Sequence, residues 1–276
     1  MLLLNDKPVP YFTFSGGEIQ VKLPTNLGFE KVILTWKPKN AVDFLLLPLT
    51  VNALNEMGIE NIHVEILYLP YARQDRACTP GEAFSLRMTM DVLTQLHVTS
   101  ITVWDTHSDV AVKYMGIGHY WSVMTIKNIF KNHNMLGYFD RDNLILCSPD
   151  KGSGNKVQSI ADEYPDLLAM FCEKRRNPDT GFISEIIVPE LHNSTEDILV
   201  IDDICDGGAT FIALAKQLKK QTTGKLYLYV THGIFSKGIN ELLEDYEHIY
   251  CHHVLHDNKY QSDSNLTILQ EFTHDH

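Results

Sequence analysis

"ILVIDDICDGGATFIAL", residues 198–214, decides how this chain folds. Four apolar residues run into Asp202 and Asp203, a third carboxylate follows at Asp206, and Gly207 and Gly208 open an amphipathic stretch. An apolar run without polar alternation is what a strand needs when both faces of a parallel sheet are covered. Over residues 207–221, Phe211, Ile212, Leu214, Ala215 and Leu218 recur at helical spacing, with Lys216, Lys219 and Lys220 opposite them or in the last turn. The stretch therefore predicts a strand, a glycine turn and a helix. In open α/β sheets ligands collect at the carboxyl ends of strands, which is where this turn falls. Glycines let backbone N–H groups approach a ligand, and a helix N-terminus attracts an anion such as phosphate. The adjacent carboxylates suit sugar hydroxyls, or Mg²⁺ held through water. Such a loop can grip both ends of a sugar phosphate. A capped, solvated acidic turn is the plain alternative for an Asp-Gly pair taken alone.

The same theme recurs along the chain. "KVILTW" (31–36), "IHVEILYLP" (62–70), "SITVWD" (100–105), "LILCSPD" (144–150), "EIIVPE" (185–190), "DILVIDD" (197–203) and "LYLYVTHG" (226–233) read as strands. A second helix is predicted over 83–97, "AFSLRMTMDVLTQLH". Strands alternating with helices argue for an α/β protein with parallel sheets. No Pro/Gly-rich linker divides the chain, but an apolar strand ending in acidic residues or histidine appears twice, in "SITVWDTHSDV" and "DILVIDDICDGG". We expect two α/β domains, 1–125 and 126–276, meeting near residues 120–130.

Composition narrows the functions. The 276 residues carry a formal net charge of −12, which argues against broad nucleic-acid or membrane-surface binding. An anionic small substrate stays open, because a local basic cluster or a metal reverses the field inside a cleft. No apolar stretch approaches the roughly 20 residues of a membrane helix. The start "MLLLNDKPVP" lacks a basic n-region and a small-residue cleavage site, so a secretory signal is not expected. Five cysteines, scattered and without a CxxC pair, read as reduced thiols, and a cytoplasmic location is expected.

Further motifs name a family. "YLPYARQDRACTPGEAFS" (68–85) resembles the ATP-binding segment of ribose-phosphate diphosphokinases, the enzymes that make phosphoribosyl pyrophosphate (PRPP). "VWDTHSD" (103–109) resembles their metal-histidine strand end, and "CSPDKGSGNKVQSIAD" (147–162) their Ser-Pro-Asp strand and helix. "CEKRRNPDTG" (172–181) is similar to their flexible catalytic loop, and "YVTHGIFSKG" (229–238) to their Thr-His-Gly-Ile-Phe-Ser stretch. "FTFSGGEIQVKLP" (12–24) resembles an early hairpin that reaches a neighbouring subunit's nucleotide. The opening stretch itself resembles the PRPP loop of the type I phosphoribosyltransferase-like fold. The matches come in family order.

The resemblance implies two tandem phosphoribosyltransferase-like domains, each a mostly parallel sheet flanked by helices. It implies that the anomeric hydroxyl of a ribose phosphate attacks the β-phosphorus of ATP, giving PRPP and AMP, with Mg²⁺ neutralising the phosphates. Such chemistry rests on alignment and charge neutralisation. By the same resemblance Arg73, Gln74 and Asp75 serve ATP, Arg76 adds positive field, and His107 and Asp150 ligate the Mg²⁺ on ATP, with Asp105 orienting His107. Lys174 and Arg176 lie in a polar stretch, 173–181, expected to be a mobile loop that closes over the transferring phosphates. Asp202 and Asp203 are assigned to ribose hydroxyls and a second Mg²⁺. Asp206, Gly207, Gly208, Ala209 and Thr210 are assigned to the substrate phosphate, and His232 is left structural. Phe14 and Glu18 either reach the adenine bound by an adjacent subunit, which implies a homo-oligomer, or Phe14 packs into its own core.

Three departures from the family pattern bear on the substrate. Only about ten residues precede the hairpin, where the family has a strand, a phosphate turn and a helix, so a trimmed N-terminal domain is expected. The usual Phe-Ser-Asp-Gly-Glu reads Phe14-Ser15-Gly16-Gly17-Glu18. The phosphate loop, usually Asp-Thr-(small)-Gly-Thr, reads Asp206-Gly207-Gly208-Ala209-Thr210, losing a hydroxyl and gaining space. Ribose 5-phosphate is the expected acceptor, and ADP-ribose is the alternative. Trimmed relatives of this kind resemble synthetases found with nicotinamide salvage enzymes, some of them viral (a host-cytoplasmic setting), whose product feeds a nicotinamide-transferring partner to rebuild NAD. A non-catalytic regulatory homologue and a phosphoribosyltransferase are the rival classes. The second leaves "YARQDR" and "EKRR" without a purpose.

Overall fold

A computed structural model describes residues 1–25, 27–116, 120–176, 183–191, 195–255 and 263–269. The chain forms two compact units, Met1–Thr125 and Ile126–His276.

In the first unit the strands are β1 (Leu2–Leu4), β2 (Lys7–Pro8), β3 (Tyr11–Thr13), β4 (Ile19–Val21), β5 (Val32–Trp36), β6 (Ile62–Ile66), β7 (Ser100–Trp104) and β8 (Tyr120–Met124). Helices α1 (Ala41–Glu56), α2 (Ser85–Thr94) and α3 (Asp109–Lys113) lie between them in sequence. One sheet runs β2-β1-β5-β6-β7-β8, parallel from β5 onward and closed by antiparallel β1 and β2. One face of the parallel strands is apolar and buried, while the other carries the half-buried His63, Glu65, Ser100 and Thr102. Val32, Leu34, Ile62, Ile66, Ile101 and Val103 are fully buried, each worth about 1.5–3 kcal/mol of apolar burial. Helix α1 begins where Asn40 Oδ1 accepts from the Asp43 N–H at 2.9 Å, supplying a partner that the first turn lacks. Strands β3 and β4 form a separate hairpin.

The second unit contains α4 (Ile126–Asn132), β9 (Leu144–Ser148), α5 (Gly154–Ala161), β10 (Leu168–Phe171), β11 (Glu173–Arg176), β12 (Ile183–Ile187), β13 (Asp197–Cys205), α6 (Ala209–Leu218), β14 (Leu226–Gly233), α7 (Asn240–Leu243), β15 (His248–Val254) and β16 (Leu266–Ile268). Its sheet runs β10-β9-β13-β14-β15-β16, parallel throughout. After β9 the chain steps outward to β10. It then returns to the other side of β9 and winds away through β13, β14 and β15. The carboxyl ends of β9 and β13 therefore flank a topological switch point, where a crevice opens between loops that diverge. The opening stretch folds as expected, its helix beginning at Ala209 behind Gly208, whose φ of +78° is left-handed.

Two sequence expectations need correction. "EIIVPE" is a strand, but it belongs to an antiparallel pair with β11 and not to the parallel sheet. The polar stretch 173–181, expected as a loop, is strand as far as Arg176. Ladder hydrogen bonds to β12 make an extended conformation favourable for charged residues whose side chains project from a two-stranded ribbon. Residues 177–182 lie outside the described residues.

A histidine cluster gives the second unit a pH dependence. His252 is fully buried on β15, with ring centroids 4.5 Å from His133 and 4.3 Å from His253. Burial first, then the proximity of His253, His133 and His232, presses its pKa far below the ordinary histidine value. The unfolded chain takes up a proton near pH 6.5 that the native site refuses. Stability is therefore complete above that pH and falls below it, by about 1.4 kcal/mol per pH unit for this one group. The urea midpoint should be lower at pH 5.5 than at 7.5, and His252→Phe should narrow the gap. Equal midpoints for the wild type would refute this.

Candidate functional site

Each unit carries one constellation. In the first unit, parallel neighbours β6 and β7 bring together the loops that follow them. Arg73, Gln74 and Arg76 are exposed, while Asp75 is partly buried and accepts a 2.9 Å hydrogen bond from Ser108 Oγ. That bond ties the "RQDR" loop to the loop carrying His107. The Arg76–Asp75 pair, at 3.8 Å on an exposed arginine, adds little. Asp105 is buried in a left-handed backbone conformation, and its N–H donates to the Met124 carbonyl at 2.9 Å. This sharp bend ends β7 and leaves His107 partly exposed two residues later. The loop thus presents two arginines, a glutamine amide and an imidazole at a strand-end rim, a donor set suited to phosphate oxygens.

Phe14 and Glu18 lie at the tip of the β3–β4 hairpin, where the Phe14 N–H donates to the Glu18 carbonyl at 2.8 Å. Phe14 is 53% exposed and meets Phe12 edge-on at 5.0 Å. It is therefore not a core residue of its own unit.

In the second unit the loops after β9 and β13 meet at the switch point. Asp150 Oδ1 accepts from the N–H groups of Gly152 and Ser153 at 2.8 and 3.3 Å, and Ser148 Oγ donates to the Asp150 carbonyl at 2.6 Å. The other carboxylate oxygen of Asp150 is ion-paired with Lys174. Lys174 Nζ also lies 3.5 Å from Thr210 Oγ1, in the first turn of α6. One ammonium thus links β11, the β9 loop and the phosphate-type turn. Asp203 is buried and paired with Lys156 at 3.6 Å, and its N–H donates to Asp202 Oδ1 at 2.9 Å. Burial, then the negative charges of Asp203 and Asp150, push the Asp202 carboxyl well above the usual carboxylate range. Asp206, Gly207, Gly208, Ala209 and Thr210 form the turn into α6, as the sequence predicts. Arg176 ends β11, with its backbone opposite Ile183.

Lys156 and the serine pair Ser148 and Ser153 were not singled out by the sequence reading. Lysine in the first turn of a helix opposes the helix dipole, and that misfit is the one local signal that could have pointed to a buried acidic partner. Among the described residues no three His, Cys, Asp or Glu side chains are grouped closely enough to cage a metal ion, and no helix is long and apolar enough to cross a membrane.

Comparisons with known proteins agree with this layout. A family profile for the N-terminal domain of ribose phosphate pyrophosphokinase matches residues 4–96. The ribose-phosphate pyrophosphokinase of Pyrococcus abyssi is 28% identical over 236 residues, covering 83% of this chain and 77% of its own length. That of Thermococcus kodakarensis is 29% identical over 235 residues, covering 83% and 78%. The crystal structure of phosphoribosylpyrophosphate synthetase from Mycobacterium smegmatis superposes with a TM-score of 0.79 at 19% identity, covering 95% of this chain and 85% of that one. At that identity the likeness speaks for the fold.

Proposed function

We propose that this chain, which belongs to the ribose-phosphate pyrophosphokinase family, moves the diphosphoryl group of ATP onto the anomeric hydroxyl of ribose 5-phosphate. The C1 oxygen bonds to the β-phosphorus, the bond from that phosphorus to the α,β-bridging oxygen breaks, and AMP leaves while the hydroxyl proton passes to solvent. The observation that carries this reading is the position of Lys174, ion-paired with Asp150 and 3.5 Å from Thr210 at the phosphate-type turn. A cation fixed there is placed to stabilise charge on a group being transferred to a sugar phosphate bound in the turn.

The remaining roles follow from the chemistry of each group. Arg73, Gln74, Arg76 and His107 would hold the triphosphate, with Asp75 anchoring their loop through Ser108. The turn Gly207–Thr210 would offer backbone N–H groups to the 5-phosphate, and Asp202 and Asp203 would serve the ribose hydroxyls. Arg176 would add charge beside Lys174, and Phe14 with Glu18 would reach the adenine of a neighbouring copy, making the enzyme a homo-oligomer.

The donor set fits Mg²⁺. Asp202, Asp203 and Asp150 lie close enough that burial first, and then the charges of Asp203 and Asp150, raise the Asp202 carboxyl. Carboxylate oxygens are hard ligands, and they suit a divalent cation that needs few protein ligands and keeps its waters. By the resemblance, His107 and Asp150 are assigned to the Mg²⁺ on ATP, and Asp202 and Asp203 to a second ion, each leaving most of the coordination to water and phosphate. When bound, Mg²⁺ supplies neutralisation of the phosphate oxygens.

A second acceptor is favoured by one feature. Gly207, Gly208 and Ala209 carry no hydroxyl, so the turn commits fewer side-chain donors to a plain 5-phosphate and would tolerate one that bears a further group, as in ADP-ribose; a nicotinamide-transferring enzyme would then be the pathway partner. Incubation with ATP and Mg²⁺ should release AMP in step with the acceptor supplied, and the ratio of rates with ribose 5-phosphate and ADP-ribose identifies the substrate. No AMP with either, from folded protein, sinks the reading.

A further inference from the structure

The loop after β14 carries a cation that the reaction described above does not use. The N–H groups of Ile234 and Phe235 both donate to the Cys205 carbonyl, at 2.8 and 3.1 Å, and the Ser236 N–H donates to the Asp206 carbonyl at 3.1 Å. Residues 234–236 are thereby zipped onto the last residues before the phosphate-type turn. Phe235 has a left-handed φ of +47° and a fully buried ring, which fixes the path of the chain, and the Gly238 N–H closes a turn onto the Phe235 carbonyl at 2.9 Å. Lys237 sits inside that closed turn. Its stem lies along Gly207, so that a Cβ added to Gly207 would touch Lys237 Cδ at 3.5 Å and Cε at 3.6 Å. The ammonium is one bond further on.

The turn is therefore bracketed by two lysines. Lys174 reaches its Thr210 end from β11, and Lys237 covers its Gly207 end from the loop after β14. Their surroundings differ. Lys174 is ion-paired with Asp150. Lys237 is exposed, and among the described residues no carboxylate pairs with it. A lysine stem laid on a glycine backbone with its head group in solvent commonly means only that the methylenes shield apolar surface. Here the backbone beneath is a polar turn of N–H donors, and the loop bearing the lysine is held by three hydrogen bonds to that turn's own base.

We infer that Lys237 is a specificity-determining residue that binds the 5-phosphate end of the acceptor from the Gly207 end of the turn, as Lys174 stands at its Thr210 end. The inference rests on the functional reading of the turn. It assigns the lysines different duties: Lys174 acts on charge that develops during transfer, while Lys237 acts on charge that the acceptor carries throughout. Contacts of equal strength in ground and transition states lower KM without raising kcat.

The test is titration calorimetry with ribose 5-phosphate and, separately, inorganic phosphate, on wild type, Lys237→Ala and Lys237→Arg in the presence of Mg²⁺, followed by steady-state kinetics. Lys237→Ala should weaken ribose 5-phosphate about tenfold, the effect of losing one charge-assisted contact. The loss should appear in KM and not in kcat, Lys237→Arg should recover most of it, and inorganic phosphate should follow the same order. Equal affinity of wild type and Lys237→Ala, both folded by circular dichroism, overturns the assignment and leaves the functional reading standing. If wild type binds neither ligand, the functional reading fails and this inference with it.

Discussion

Replacing Lys174 by alanine should lower kcat by about 10²–10³-fold, the usual cost of deleting one preorganised group that stabilises transition-state charge. Three observations set this expectation. The residue stands on β11 in register with Ile186, so the backbone beneath it is held by a ladder. Its side chain is only 15% exposed, and its ammonium is paired with Asp150 and adjacent to Thr210. Low exposure and fixed partners make the ammonium a preorganised charge rather than a mobile one. Affinity for ATP should change little, because an interaction made mainly in the transition state leaves ground-state binding alone. Lys174→Met, which keeps most of the stem, should be as slow as the alanine variant. A merely structural lysine would give a different result: a lower thermal midpoint with turnover retained. Rapid-quench measurement of AMP formation with unfolding curves on the same samples separates the two, and unchanged turnover removes Lys174 from the mechanism.

Much of the fold was legible because buried parallel strands write themselves as unbroken apolar runs. β5, β9 and the first halves of β13 and β14 do so, while β6 and β7 alternate apolar with polar residues and read as strands by that period of two. Strand β15 does not. It reads His248-Ile-Tyr-Cys-His-His-Val254, and three histidines hide a segment whose residues are nearly all buried. β10 is an edge strand of four residues, too short for periodicity to register. Within the site, the turn into α6 could be read directly, since strand, carboxylates, glycines and helix are contiguous. The link from Asp150 to Lys174 could not. It spans 24 residues and passes through β10, so local pattern carries no trace of it, and only resemblance to a known family suggested that both positions matter. The pairing of Lys156 with Asp203 spans still more chain and was not seen. Composition over 173–176 misled for a physical reason: charge suggests solvent and looseness, whereas a two-stranded ribbon satisfies its backbone whatever its side chains.

Gly233→Ala should cost the second unit about 3 kcal/mol of stability, at the upper end for overpacking a well-filled core. Gly233 ends β14, between Cys205 on β13 and Val254 on β15. A Cβ there would run into the Phe235 ring, with Cζ at 2.7 Å, and into Cys251 Sγ at 2.8 Å. Neither neighbour can step aside easily. Phe235 and Cys251 are both fully buried, and the Phe235 backbone is pinned to the Cys205 carbonyl at 3.1 Å. Relief has to come from displacing the loop after β14, the same loop whose Ser236 N–H holds the Asp206 carbonyl. The variant should therefore bind sugar phosphate more weakly as well as unfold earlier in urea. Phe235→Leu introduced into it should restore part of the lost stability, because removing ring atoms opens the space that the new methyl needs, although the same change alone leaves a void and destabilises. A double-mutant cycle by urea denaturation measures this coupling. If the two losses simply add, the Phe235 ring is not what excludes a side chain at Gly233, and the loop is held in place by its hydrogen bonds alone.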